Sequence, residues 1–234
     1  RLCINDPKNE ILPILAGLTP SCRVIVSDPF DLRASAWDMA TDVDEPRIAL
    51  ETAFTLIPEK HESQPYFSDS ARVMLYGVLL SFQQRKIKWT LADVLRALQS
   101  PKRLACPYTR DIVNCYFTEK KTLANILSTI ATKTLAFQHI AAAWETAKSS
   151  FSIKDWAAGS SILVLGHSDI SRHALASINQ CIKKRISDEL LAQPDSKSRR
   201  SFDITDELSD MGHIPGLVAL AKKGRSKGAC LVLG

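Results

Sequence analysis

At 234 residues, with 45% hydrophobic and 24% charged side chains and a mean hydropathy of −0.04, the chain has an ordinary globular composition and length enough to bury a core. No apolar run approaches the roughly 18–20 residues needed to span a bilayer, and residues 1–6 turn polar too soon for a signal peptide. The net charge of +5 is unevenly spread: residues 1–71 carry 6 basic and 12 acidic side chains, residues 72–121 carry 10 basic and 3 acidic. The basic stretch reads either as a solvated helix face or as a surface that meets phosphates or an acidic partner.

Short aliphatic runs that stop at turn residues predict buried strands. Leu2-Cys3-Ile4 stops at Asp6-Pro7, and Arg23-Val24-Ile25-Val26 stops at Asp28-Pro29. From 65 to 157 the texture becomes helical, with no strand signal. Ser68 is placed to cap a helix carrying Val73, Leu75, Tyr76, Leu79, Leu80 and Phe82. Thr90, with Asp93 three residues on, forms a capping-box pattern. Helical spacing resumes after Pro101 and Pro107, from Leu123 to Leu135 and on to Trp144. Strand texture returns at Ile162-Leu163-Val164-Leu165, followed by a long helix over 173–191. A strand at 202–205 ends on Asp206-Glu207, a last helix spans 214–223, and Cys230-Leu231-Val232-Leu233 closes the series. The polar residues gather at the carboxyl ends of these strands, where open parallel sheets bind ligands. The expected organisation is an α/β domain over 1–64 and 158–234, with an all-α insertion over 65–157.

The strongest chemical signal is Phe202-Asp203-Ile204-Thr205-Asp206-Glu207. A strand that delivers two adjacent carboxylates matches the Walker B arrangement of P-loop ATPases. Asp206 would hold Mg²⁺, largely through water, and Glu207 would polarise the attacking water. An acidic helix start is the competing reading, and Asp203 interrupts an otherwise apolar strand. The companion G-x-x-x-x-G-K-[ST] loop is absent from the 234 residues. Gly224-Arg225-Ser226-Lys227-Gly228 is either a glycine-terminated helix end or an arginine placed to reach a phosphate. Asp6-Pro7-Lys8-Asn9-Glu10 lines the expected crevice or forms a capped turn, and Gly166-His167-Ser168-Asp169 likewise closes a strand. The six cysteines and five histidines show no metal-ligand spacing, and scattered cysteines fit a reducing compartment.

The order of these segments resembles the TraD/TrwB/TraG coupling proteins of conjugation, within the FtsK/HerA group of motor ATPases. Asp6-Pro7-Lys8-Asn9-Glu10 resembles that family's D-P-K-G-E, with Asn9 in place of glycine. Asp28-Pro29-Phe30-Asp31-Leu32-Arg33, running on to Trp37-Asp38, resembles its N-P-F-D-x-R-x-x-x-W-D. Tyr66-Phe67-Ser68-Asp69-Ser70-Ala71-Arg72 is similar to the opening of its helical insertion, and the 199–234 stretch follows its order of Walker B, Gly-Arg-Ser-Lys-Gly and terminal strand. The resemblance implies a RecA-like P-loop sheet, here without its first strand and P-loop, with an all-α domain inserted. It implies ATP and Mg²⁺ as cofactors, Asp206 as the magnesium carboxylate and Glu207 as the water-activating one. Asp6 and Lys8 would face the nucleotide, and Arg225 would act as a finger in trans. It further implies a homo-hexameric ring on the cytoplasmic side of the bacterial inner membrane, moving DNA and its relaxase to a type IV secretion channel. The missing P-loop and membrane segments are expected upstream of Arg1, and these 234 residues alone are not expected to hydrolyse ATP. A non-catalytic DNA- or protein-binding module and a related FtsK/HerA-type DNA pump are the alternatives.

Overall fold

A computed structural model describes residues 1–8, 10–18, 21–58, 65–104, 112–168 and 171–234. Asn9, Pro107 and Asp169, each named above in a turn or boundary, lie outside the described residues. The chain divides into two compact units, one of residues 1–38 with 143–234 and one of residues 39–142.

The first unit is built on a parallel five-stranded sheet. Its strands are β1 (Leu2–Asn5), β2 (Val24–Ser27), β5 (Ile162–Leu165), β6 (Ser201–Thr205) and β7 (Ala229–Leu233), in the order β2-β5-β1-β6-β7. All five fall where the sequence predicted strands, four of them as consecutive aliphatic runs and β6 with Asp203 as its interruption. Registers are continuous across the middle: Ile4 lies beside Val164 and Ile204, and Cys3 beside Leu163 and Asp203. Side chains alternate between faces along each strand. Ile4, Ile162 and Val164 face α1 (Ile11–Leu18), packing with Leu15 and with half-buried Ile11 and Leu12. The opposite face carries Cys3 and Asp203, which meet α10 (Arg172–Ala192). A sheet covered on both faces needs apolar residues at consecutive positions, hence the unbroken Ile-Leu-Val-Leu of β5.

Asp203 is the exception, and its partner explains it. The Lys183 ammonium on α10 donates to the Asp203 carboxylate and, at 3.0 Å, to the Thr205 hydroxyl. Both charged side chains are within 2% of full burial. Desolvation alone would lower the Lys183 pKa, but the charge and hydrogen bond of Asp203 oppose it, and the ammonium is held above its ordinary value. Burial pushes the neighbouring Cys3 thiol up to about 12, so it stays neutral.

A short pair, β3 (Ser35–Trp37) and β4 (Ser149–Phe151), also runs parallel. The sequence reading saw no strand between 65 and 157, and β4 corrects it. Ser-Ser-Phe is too short and polar to show an aliphatic run, and only its pairing with residues far away in sequence makes it a strand. The helix α9 (Ile153–Ala158) follows, capped by the Ser152 hydroxyl on the Asp155 amide.

The second unit is helical among its described residues. It contains α2 (Met39–Asp42), α3 (Pro46–Leu56), α4 (Pro65–Arg85), α5 (Leu91–Leu98), α6 (Pro101–Leu104), a 3₁₀ turn (Asn114–Phe117) and α7 (Lys120–Thr134). α8 (Phe137–Glu145) leads back to the first unit. The capping box at Thr90 is formed as expected. Ser68 is not a cap: α4 begins at Pro65, whose fixed φ and missing N–H suit a first helical turn, and Ser68 is buried inside the helix. The last helix, α12 (Leu217–Lys223), starts three residues later than expected because Gly216 sits in the left-handed region at φ 86°.

Removing one member of the buried pair leaves the other charge stranded. Lys183→Met should lower unfolding stability by roughly 3–5 kcal/mol, while Lys183→Met/Asp203→Leu recovers most of the loss. Urea unfolding of both variants tests this, and equal destabilisation of single and double variants would refute the pairing.

Candidate active site

The carboxyl ends of β1 and β6 lie side by side, and the turns that leave them meet. The Asn5 side chain, buried at the last position of β1, donates to the Asp206 carbonyl at 3.2 Å. Asp206 is half-buried, and its Oδ1 accepts from the Glu207 amide at 3.1 Å. Glu207 takes a left-handed backbone, φ 51°, unusual for a residue with a Cβ and costing roughly 1–2 kcal/mol. From there its Oε1 lies 2.9 Å from the Lys8 Nζ, across the mouth between the two strands. Both side chains are about half exposed. Hydrogen bonding and charge from Lys8 hold the Glu207 carboxyl below its ordinary pKa. In return Glu207, and then Asp206, hold the Lys8 ammonium above its own.

Asp6 is placed differently from a nucleotide contact. It is buried, and its two oxygens accept from the backbone amides of Glu10 (3.0 Å), Ile11 (2.9 Å) and Leu12 (3.2 Å). Those amides belong to the first turn leading into α1 and would otherwise lack partners. A carboxylate so engaged fixes the turn that carries Lys8.

Gly234 closes the other side. Its amide donates to the Thr205 carbonyl at 2.9 Å and its carbonyl accepts from the Leu208 amide at 3.2 Å. Further out along the edge, Gly166 passes so close to Asp28 that a Cβ there would overlap the aspartate side chain. Burial is the main cause that raises the Asp28 pKa.

Arg225 is not brought to this edge. It lies exposed in the 3₁₀ turn Gly224–Lys227, immediately before β7, at the amino end of the sheet. The length of β7 separates it from the carboxyl edge, about 13 Å at roughly 3.3 Å per residue. It borders an open groove of about 1090 Å³ lined also by Lys197, Arg200, Lys222 and Lys223. Gly228 ends that turn at φ 79°, where any side chain would strike the Arg199 carbonyl.

Of Asp6, Lys8, Asp206, Glu207 and Arg225, which the sequence reading assigned to the site, the structure brings Lys8, Asp206 and Glu207 together. The sequence reading gave no role to Asn5, whose only signal was a polar residue ending an apolar strand, or to Lys183, which pairs with Asp203 beneath. Among the described residues no group of three or more His, Cys, Asp or Glu forms a metal cage. The Asp206 carboxylate is a hard oxygen donor, the type that Mg²⁺ takes while keeping several waters.

Comparison with known proteins follows the same lines. A family profile described as the type IV secretion-system coupling protein DNA-binding domain matches residues 18–234. The Escherichia coli (strain K12) coupling protein TraD is 24% identical over 221 residues, covering 89% of this chain and 30% of TraD. The unbound bacterial conjugative coupling protein TrwBdeltaN70 superposes over the whole chain with a TM-score of 0.70 at 14% identity. The plasmid coupling protein TrwB with ADP and Mg²⁺ gives 0.69 at 15%. The chain spans less than a third of TraD and about 61% of that TrwBdeltaN70 chain.

Replacing Lys8 by Met removes both the hydrogen bond and the charge that lower the Glu207 carboxyl. The Glu207 titration, followed by NMR of the side-chain carboxyl, should move upward; an unchanged midpoint would show the ion pair does not form in solution.

Proposed function

The chain belongs to the type IV secretion-system coupling proteins, through that family's DNA-binding domain, and we propose that it forms part of an ATP-driven motor that moves DNA and its relaxase to the secretion channel. The observation that carries this reading is the Asp206–Glu207 pair at the carboxyl end of β6, with Lys8 beside it. The solved structures of TrwB with an ATP analogue and with ADP and Mg²⁺ support the choice of ligand.

In this reading ATP is the substrate, and Asp206 would hold Mg²⁺, which would supply positive charge against the phosphates. Asn5 holds the Asp206 backbone in place. Glu207 orients water toward the γ-phosphorus and accepts its proton as the new P–O bond forms and ADP leaves. A carboxyl held low by Lys8 is a weak base. Lys8 therefore leaves Glu207 for the phosphates when nucleotide enters, which frees the carboxylate and adds a cation beside the transferred group.

The G-x-x-x-x-G-K-[ST] loop that such a motor uses is not among these 234 residues. The β7 edge, where Val232 and Leu233 are 51% and 46% exposed, is a sheet edge open to a further strand. The helical unit of residues 39–142, with the basic stretch over 72–121, serves as the all-α domain that meets DNA or an acidic partner. Arg225 acts on nucleotide held by a neighbouring copy in a homo-hexameric ring at the inner membrane.

In protein that carries this chain together with its phosphate-binding loop, Glu207→Gln should lower DNA-stimulated ATP hydrolysis by about 100-fold or more while leaving nucleotide affinity nearly unchanged. An unaltered rate would refute the role of Glu207. Mixing Arg225→Ala with Glu207→Gln subunits should restore part of the activity, because a mixed interface pairs an intact finger with an intact carboxylate. No restoration at any ratio would rule out a finger in trans.

A further inference from the structure

The helical unit holds a concavity of its own, lined by residues between 78 and 102. It has a volume of about 480 Å³, between α4, α5, α6 and the link from α4 to α5. Its floor is apolar: Val78 and Phe82 from α4, Trp89 from the link and Ala97 from α5. Phe82 and Trp89 stack with centroids 5.8 Å apart and planes at 24°. Trp89 is only 3% exposed, so its ring is part of the floor and offers no open face. At the mouth, Ile87 is 45% exposed.

The rim is cationic. Arg85, Lys88 and Lys102 come from three separate segments and are all exposed. The one carboxylate in the lining, Asp93, is already committed. It accepts from the Thr90 amide and hydroxyl, each at 3.0 Å, and pairs with Arg96 at 3.2 Å. The groove thus presents an apolar floor beneath a net positive rim.

We propose that this groove binds a short acidic peptide segment anchored by one or two aliphatic or aromatic side chains. Its volume is within the about 300–1,000 Å³ of ordinary ligand clefts and suits side-chain anchors. Cations on three segments match several carboxylates spaced along a chain better than the single head group of a fatty acid. A nucleic-acid strand would find phosphate partners on the rim, but base stacking needs exposed ring faces, and the indole here is covered. The proposal does not rest on the ATPase reading, since its residues all belong to the second unit and Asp206 and Glu207 to the first.

The test is fluorescence anisotropy with the 234-residue chain and labelled peptides of about twelve residues. One peptide is glutamate-rich with a central Leu-Phe pair. The controls replace Leu-Phe by Ser-Ser or every Glu by Lys, and a thymidine oligonucleotide of equal length is included. The acidic anchored peptide should bind saturably and at least about tenfold more tightly than each control. Lys102→Glu and Ile87→Glu, both at exposed positions, should each weaken it by about tenfold with unchanged circular dichroism and melting temperature. Absence of saturable binding would overturn the proposal. So would equal binding of the serine peptide, tighter binding of the oligonucleotide, or full affinity in both variants.

Discussion

The buried ion pair between Lys183 and Asp203 is the constraint on which the geometry of the first unit turns. It sits between α10 and the sheet, with both side chains almost fully buried. Two charges placed there tolerate little displacement, because each is desolvated and has the other as its counter-charge. The same ammonium also holds the Thr205 hydroxyl, the residue before Asp206. The helix thus grips β6 at two alternate positions on one face and fixes how far the strand extends before it turns. A hydrophobic pair could supply comparable stability, but it would specify the longitudinal position of β6 less sharply.

The strand order explains why that position matters. The chain leaves β1 through α1 for β2, on one side of the sheet, and leaves β6 for β7, on the other. Connections on either side of the β1–β6 boundary therefore diverge, and a crevice opens above it. Asp6 anchors the first turn into α1 on one wall, and Asn5 reaches across to the Asp206 carbonyl on the other. Lys8 and Glu207 span the gap. The left-handed backbone at Glu207 is held by this frame, with the turn on one side and the Gly234 backbone on the other.

What sequence revealed and what it hid divide along physical lines. The central strands were legible because burial on both faces demands consecutive aliphatic residues, and Asp206-Glu207 stood out against them. Asp203 looked like a flaw because its partner is twenty residues earlier in sequence and on another element. Local pattern cannot show that compensation. Asp6 read as a possible ligand contact because a carboxylate after a strand serves equally well as a cap. Only the amides it accepts decide between these roles. The short β3–β4 pair was invisible for a similar reason: three residues carry little periodicity, and their identity as strands comes from each other. At the helical insertion the Thr90–Asp93 box was readable because it is complete within four residues, whereas Ser68 met the same compositional rule but lies inside a helix already started by Pro65.

Arg225 and Glu207 belong to opposite edges of one sheet, and this has a consequence for assembly. Any site that uses both must draw them from different copies, since a strand of fixed length separates them within one chain. A contact that joins the amino edge of one copy to the carboxyl edge of the next is heterologous, unlike the self-complementary contact of a simple dimer. Repeated, it closes into a ring or runs on as a filament. In the ring proposed above, such an interface would make each copy sensitive to the state of its neighbour, because the charge at Arg225 would be felt where the next copy holds phosphate. The basic groove around Arg225, with Lys197, Arg200, Lys222 and Lys223, would then have a physical rationale. Isolated, these cations repel one another; facing the phosphates of an adjacent copy, the same cluster would favour association when nucleotide is bound and weaken it after release.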